Sequence, residues 1–389
     1  MLATAVAATT TAFTLAGLGY FLLALWSARA FQHQWRLALP EFEPGVSVLK
    51  PVKGLDPEMY ASFASHCLQD YRGPYEILFG VSSMDDPAVA AIQQLQAEFP
   101  GREIRLILCP NSLGANGKVS NLVQMFPHAA HDYLLINDSD IKVSPSYLRR
   151  IMGCFLLARR PGGRVGMVTT PYRGRAHQTI GSRMEALGIS TDFIAGVLTA
   201  RYIESGLRFG LGSTLAISRE ALQAIGGLEP LVDYLADDYE LGARVARKGM
   251  EVALSNEVVE TFVPAYRFSQ FLSHQIRWGR STRDSRRLGY TGMVLTHGLP
   301  WAILNVIASG ASMSSIALLS LTLLARVAVA LAVGVGITGD LQVIRDLWLL
   351  PARDIVGMGI WIWSFAGDTV AWRGQRFSLK NGKLTRLTV

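Results

Sequence analysis

Tyr133-Leu134-Leu135-Ile136-Asn137-Asp138-Ser139-Asp140 is an apolar run that stops abruptly at two carboxylates one residue apart. The run predicts a buried strand. Side chains at i and i+2 of an extended chain point the same way, so Asp138 and Asp140 are expected to present oxygens to one point where the strand leaves the sheet. Hard divalent cations such as Mg²⁺ or Mn²⁺ want oxygen ligands, and Mg²⁺ usually takes only one or two from protein and the rest from phosphates and water. A nucleotide diphosphate fits that arrangement. An ordinary turn rich in Asp and Ser has the same composition, so the flanking chain has to separate the two.

Upstream, Val46-Ser47-Val48-Leu49-Lys50-Pro51 predicts a short buried strand, Met59 to Leu68 a helix, and Tyr75 to Val81 a strand ending at Ser82-Ser83-Met84-Asp85-Asp86-Pro87. Ala88 to Phe99 has helical spacing and Ile104 to Leu108 predicts another strand. Strands alternating with helices imply a mostly parallel α/β sheet with ligands at the C-terminal strand ends. Asp86, Asp138 and Asp140 all fall at such ends, which favours a site over a plain turn.

Three nearby motifs narrow the chemistry. Gly114-Ala115-Asn116-Gly117-Lys118-Val119-Ser120 lacks the glycine of a phosphate loop five places before Gly117, where Ser112 stands, so an ATPase is excluded. Lys118 is left two roles, a point charge for a phosphate or a solvated loop lysine. Gly210-Leu211-Gly212-Ser213-Thr214 has its serine one place late for a hydrolase elbow. Asp237 and Asp238 open a helix, where a carboxylate either caps exposed N–H groups or stays ionised as a general base. Val258 to Val263 predicts the strand that closes this unit.

Composition points to a membrane. Of 389 residues, 50% are apolar and only 17% charged, against about 25% charged in soluble domains. From Ala3 to Ser27 no residue is charged, a run of about 25 where roughly 20 span a bilayer. A signal peptide is the alternative, but Arg29 and Arg36 follow the apolar run instead of preceding it. The positive-inside tendency then puts the next segment in the cytoplasm. Leu288 to Leu324 is again uncharged, which predicts two spans joined near Gly310 to Ser315, with Arg326 inside the second and expected to snorkel or face protein. Phe268 to Arg287 predicts a basic amphipathic helix at the membrane interface. Trp348 to Trp372 is expected to be re-entrant or interfacial. Phe193 to Ala200, broken by Gly196, reads as core packing rather than a lipid slot. The formal charge of +7 suits anionic lipid or phosphate, and no basic stripe interleaved with aromatics indicates nucleic acid. Cys67, Cys109 and Cys154 are scattered among apolar neighbours, which excludes a disulfide framework or zinc site.

Together Val46-Ser47-Val48-Leu49-Lys50-Pro51-Val52-Lys53-Gly54, Asp85-Asp86-Pro87-Ala88, Asn137-Asp138-Ser139-Asp140, Ala236-Asp237-Asp238-Tyr239 and the Arg277-Trp278 pair resemble the ceramide glucosyltransferase family, and within it the bacterial hopanoid-biosynthesis-associated members. Asn116 to Leu122 and the tail Trp372-Arg373-Gly374-Gln375-Arg376-Phe377 also match. The resemblance implies an α/β, GT-A (Rossmann-like) glycosyltransferase domain with N-terminal and C-terminal transmembrane helices, which transfers a sugar from a UDP-sugar to a lipid hydroxyl with inversion. It implies that Asp86 helps hold the uridine end of the donor, that Asp138 and Asp140 hold a divalent metal (Mg²⁺ or Mn²⁺), and that Asp238 is the catalytic base. His274 stands where the family has Gln or Arg, separated by two residues from Arg277-Trp278; it can still donate to a phosphate, in a pH-dependent way. With Lys118, these residues would steady the leaving diphosphate, and Trp278 would wall the acceptor.

The expected layout is a transmembrane helix over 1–28, a linker over 29–45, a cytoplasmic catalytic domain over 46–266, an interfacial helix over 267–289, two spans over 290–339 and a re-entrant or interfacial segment with a basic tail over 340–389, in a bacterial inner membrane. N-acetylglucosamine transfer to a hopanoid polyol is expected ahead of glucose transfer to ceramide. A processive polysaccharide synthase would need more C-terminal spans, and a silent nucleotide-sugar or lipid binder would not need the intact acids.

Overall fold

The computed structural model describes residues 2–35, 39–372 and 375–387; Arg36, and Arg373 and Gly374 of the tail motif, lie outside the described residues. The chain forms two compact units, one of 38–175, 204–262 and 372–389 and one of 1–37, 176–203 and 263–371.

The first unit is built on a seven-stranded sheet in the spatial order Glu103–Leu108, Tyr75–Val81, Val46–Pro51, Tyr133–Ile136, Leu215–Ser218, Val165–Thr169, Glu251–Leu254. Only Leu215–Ser218 runs against the rest, so the expected α/β fold holds with a mixed sheet. Val46–Pro51 and Tyr75–Val81 are buried at every position, as parallel strands covered on both faces must be. Phe63, Phe79, Ile77, Leu135 and Tyr147 lie in the core of this unit. A second, three-stranded sheet orders Ile141–Lys142, Val259–Val263 and Tyr172–Ala176. The predicted last strand is thus present but closes this smaller sheet.

The second unit is helical. Ala3–Gln34 and Met313–Val335 are long and apolar enough to cross a membrane, and Arg287–Thr296 with Gly298–Ala308 forms a pair bent by 52° that could count as a third. Glycine lets two of these helices touch: a Cβ on Gly17 would stand 2.2 Å from the Gly298 Cα, the close approach small residues allow between membrane helices. Arg326 is buried and meets Asp354 at 2.8 Å, so it faces protein. Gly196 breaks nothing, because the helix Ile194–Ile203 runs through it and buries Ile194, Ala195, Val197 and Leu198. The basic helix Phe268–Ser285 spends two arginines differently from expectation: Arg280 and Arg283 donate to the carbonyls of Ser364, Ala366, Gly367 and Thr369. Those carbonyls follow the helix Leu350–Trp363, whose end favours cations.

Candidate active site

The register of the central strands delivers the acids. Ile136 pairs with Leu49 on one side and Leu215 on the other, so Asn137 and Asp138 emerge beside the Gly210–Thr214 loop. Asn137 is fully buried and donates to the Ser213 carbonyl at 2.7 Å and the Thr214 hydroxyl at 3.1 Å, while Tyr147 also meets Thr214 at 2.9 Å. This pinned corner fixes where Asp138 leaves the sheet.

Beyond it the chain is not extended. The Asp138 carbonyl accepts from the Ile141 N–H at 3.4 Å, so a turn, not strand alternation, places the two carboxylates. Asp138 Oδ1 pairs with Lys118 Nζ at 2.9 Å. Asp140 accepts from the hydroxyl of Thr261, whose strand lies antiparallel to Ile141–Lys142. Burial first, and then the charge of Asp138, pushes the Asp140 carboxyl up to about 6.

Lys118 lies in the first turn of the helix Gly117–Met125, capped by the Asn116 side chain. Its Nζ also reaches Asp237 Oδ2 at 3.3 Å. Burial alone would lower its pKa, but Asp138, Asp237 and Asp238 outweigh burial and push it up. Lys118 is a firmly charged member of the cluster, and its solvated-loop role falls away.

Asp237 and Asp238 sit in the first turn of Asp237–Arg247, and neither is the cap, which is Ala236. Asp237 is taken up by Lys118 and by the Asn116 amide at 3.2 Å. Asp238 Oδ1 accepts from the Tyr239 N–H at 2.8 Å, and its other oxygen faces Gly212. A Cβ built on Gly212 would lie 3.0 Å from Asp238 Oδ2 and 3.8 Å from Asp138 Oδ2. The missing side chain therefore lets carboxylates from two parts of the chain converge on this glycine. Burial first and Asp237 second push Asp238 up to about 6, with Lys118 pulling the other way. Gly210 and Gly242 explain the rest of the glycine motif: a Cβ on Gly242 would stand 2.4 Å from the Gly210 nitrogen, so only glycines let this loop lie against the acid-bearing helix.

Sequence reasoning passed over Lys50. It is wholly buried, and its Nζ donates to the Asp138 carbonyl at 3.0 Å from inside the sheet. Desolvation lowers its pKa to about 7 against the pull of Asp140 and Asp138. The signal was a lone lysine inside a strand with no other charge and buried at every position. Asp86, in contrast, is engaged by backbone: both its oxygens accept from the Gly54 N–H at 3.0 Å, and Oδ1 also from Ala88 at 3.0 Å. It ties two strand-end loops together, with Gly54 at φ 71.

His274, Arg277 and Trp278 belong to the helical unit. His274 Nδ1 lies 2.9 Å from Glu185, its ring is 4.7 Å from the Trp278 ring and 5.5 Å from Tyr266. The partner Glu185 is buried, so His274 has a carboxylate to orient it.

No three His, Cys, Asp or Glu side chains are grouped to hold a metal among the described residues. The Asp138 side chain is 43% exposed and lies beside Gly212, and Asp140 is close enough to feel its charge. Two carboxylates suffice for Mg²⁺ or Mn²⁺ when phosphates and water complete the shell, so the donor set fits.

The family profile described as glycosyl transferase family 21 matches residues 9–385. Ceramide glucosyltransferase 3 of Caenorhabditis elegans is 27% identical over 236 residues, 60% of this chain and 50% of that protein. Ceramide glucosyltransferase of Candida albicans is 29% identical over 171 residues, 40% of this chain and 30% of the relative. The chain thus spans half or less of the curated relatives it matches. A mannosyltransferase from Pyrobaculum calidifontis, solved in complex with GDP-Man and Mn²⁺, superposes with a TM-score of 0.55 at 17% identity, over 93% of this chain and 99% of that one. That likeness shows a shared fold.

Proposed function

Because the chain belongs to glycosyl transferase family 21, we propose that it moves a sugar from a UDP-sugar to the hydroxyl of a membrane lipid, with inversion at the anomeric carbon. The observation that carries this reading is the convergence of the Asp238 and Asp138 carboxylates on Gly212, beside a charged Lys118. Asp238 takes the proton of the acceptor hydroxyl as its oxygen bonds to the anomeric carbon. The bond from that carbon to the diphosphate oxygen breaks on the opposite face, and UDP leaves with the electron pair. Lys118 donates to the leaving diphosphate, a charge already fixed before the reaction and therefore effective there. A divalent metal held by Asp138 and Asp140 would offset further charge on the same oxygens. Asp86 holds the loops that bound the donor end. His274 and Arg277 are assigned to the diphosphate, and Trp278 to the acceptor wall.

The donor and acceptor pair best supported is UDP-glucose and ceramide, since the relatives that match carry that activity in their names. This replaces the N-acetylglucosamine and hopanoid pair as first choice; no side chain at the site favours the latter. The apolar helices Ala3–Gln34 and Met313–Val335 are proposed as anchors of a multi-pass protein with its sheet unit in the cytoplasm. Purified protein in lipid nanodiscs, given UDP-glucose, ceramide and Mn²⁺, is expected to release UDP in step with glucosylceramide. UDP-N-acetylglucosamine with a hopanoid polyol is the competing pair, and turnover only with that pair reverses the choice.

A further inference from the structure

The end of the chain forms a hairpin, Gln375–Lys380 against Lys383–Arg386, and the mechanism above gives it no part. The hairpin docks on residues 233–235. Leu384 N–H donates to the Asp233 carbonyl at 2.7 Å, and Leu235 N–H donates to the Gly382 carbonyl at 3.0 Å. Between these bonds lies Tyr234, with Lys383 Nζ 5.5 Å and the Arg244 guanidinium 5.6 Å from its ring centre. A Cβ on Gly382 would come within 3.0 Å of that ring, at a φ of 78 that side chains avoid.

The other edge of the same segment carries the site. The Tyr234 carbonyl accepts from the Asn116 amide at 2.7 Å, and the Asp233 carboxylate accepts from the Ala115 N–H at 3.0 Å. Asn116 N–H donates to the Val232 carbonyl at 2.7 Å, and its side chain reaches on to Asp237. Residues 232–237 are therefore a single layer with the hairpin on one edge and the Lys118 turn on the other, and Asp238 follows directly.

We infer that the C-terminal hairpin is a brace for the reacting cluster, acting through Tyr234 as a positioning residue that sets the places of Lys118 and Asp238. The inference rests on the roles proposed above for those two residues. Its energetic logic is that catalytic groups must be held within a fraction of an ångström, and a segment bonded on one edge alone would drift.

The test uses the full chain in nanodiscs with two disrupting variants and one conservative control, Lys383→Arg. Leu384→Pro removes the N–H given to Asp233; Lys383→Met keeps the side-chain stem and removes its charge from Tyr234. UDP release from UDP-glucose with ceramide is measured beside backbone hydrogen exchange. Leu384→Pro is expected to lower kcat by about 10- to 100-fold. The amides of Ala115, Asn116 and Leu235 lose protection while those of Val46–Pro51 keep theirs. Lys383→Met shifts both readouts less, and Lys383→Arg restores them. Unchanged kcat with lost protection at Ala115 and Asn116 overturns the brace. So does loss of protection that spreads into Val46–Pro51 in both variants, which makes the hairpin a general support of the fold. If the unaltered protein releases no UDP, the proposed function fails on its own, and the exchange comparison still decides whether the hairpin orders the Lys118 turn.

Discussion

In the helical unit Arg326 meets Asp354 through two hydrogen bonds, at 2.8 and 3.0 Å, and Arg183 meets Asp346. In the sheet unit Asp138 and Asp237 both lean on Lys118, Asp238 stands close behind, and Asp140 feels the charge of Asp138. These helical acids are covered by arginines, Asp346 by Arg345 as well; the acids around Lys118 gather like charges and are left short of cations. Matched pairs account for their own burial and need no ligand. A carboxylate surplus raises pKa values and leaves room for a cation and a proton to arrive from outside, which is what a catalytic site needs. The difference teaches where to look for chemistry in a chain with many buried charges.

The largest break in this contrast comes from the surplus side. Asp238→Asn is expected to cut kcat by about 10²- to 10⁴-fold, the usual worth of a general base, while the affinity for UDP-glucose stays near its original value; retained turnover removes Asp238 as base. On the matched side, Arg326→Met leaves Asp354 buried without its partner and is expected to destabilise the protein by about 3–5 kcal/mol. Arg326→Met with Asp354→Leu recovers most of that loss, as thermal unfolding in nanodiscs would record. A double variant no better than the single one would mean the pair does more than satisfy itself. Lys118→Met removes a cation bonded to both Asp138 and Asp237 and is expected to lower kcat/KM by about 100-fold, with a weaker apparent affinity for the donor.

Much of the sheet is legible because its strands are continuous apolar runs closed by turn residues, as in Val46–Pro51 and Tyr75–Val81. Leu215–Ser218 and Glu251–Leu254 have only four residues each and take their partners from distant parts of the chain, so no local periodicity marks them. Asp138 and Asp140 are legible by residue type and by their place after a strand, but the alternation argument for their directions fails because the chain turns there. Gly212 is invisible as a site element, since its contribution is the side chain it lacks. Lys50 was legible in principle: a lysine flanked by Leu49 and Pro51 inside a buried strand has to find an oxygen, and the nearest strand end supplies the Asp138 carbonyl.

The smallest expected effect is also the one that reads the surplus directly. An aspartate held near 6 by burial and by Asp237 is protonated below that pH and cannot accept the acceptor's proton, so kcat/KM should fall about tenfold per pH unit below about 6 and level off above it. The sign for stability is opposite. Between the ordinary aspartate range and about 6 the folded state holds a proton on Asp238, and another on Asp140, that the unfolded chain has released, so these two groups make the fold less stable as pH rises through that window. Activity and stability therefore move in opposite directions across the same pH interval, which separates a titrating base from acid unfolding. Lys118→Met sharpens the comparison, because Lys118 pulls the Asp238 pKa down. The acidic limb of the residual activity should move to higher pH in that variant. A limb that stays in place would mean that some group other than Asp238 controls it.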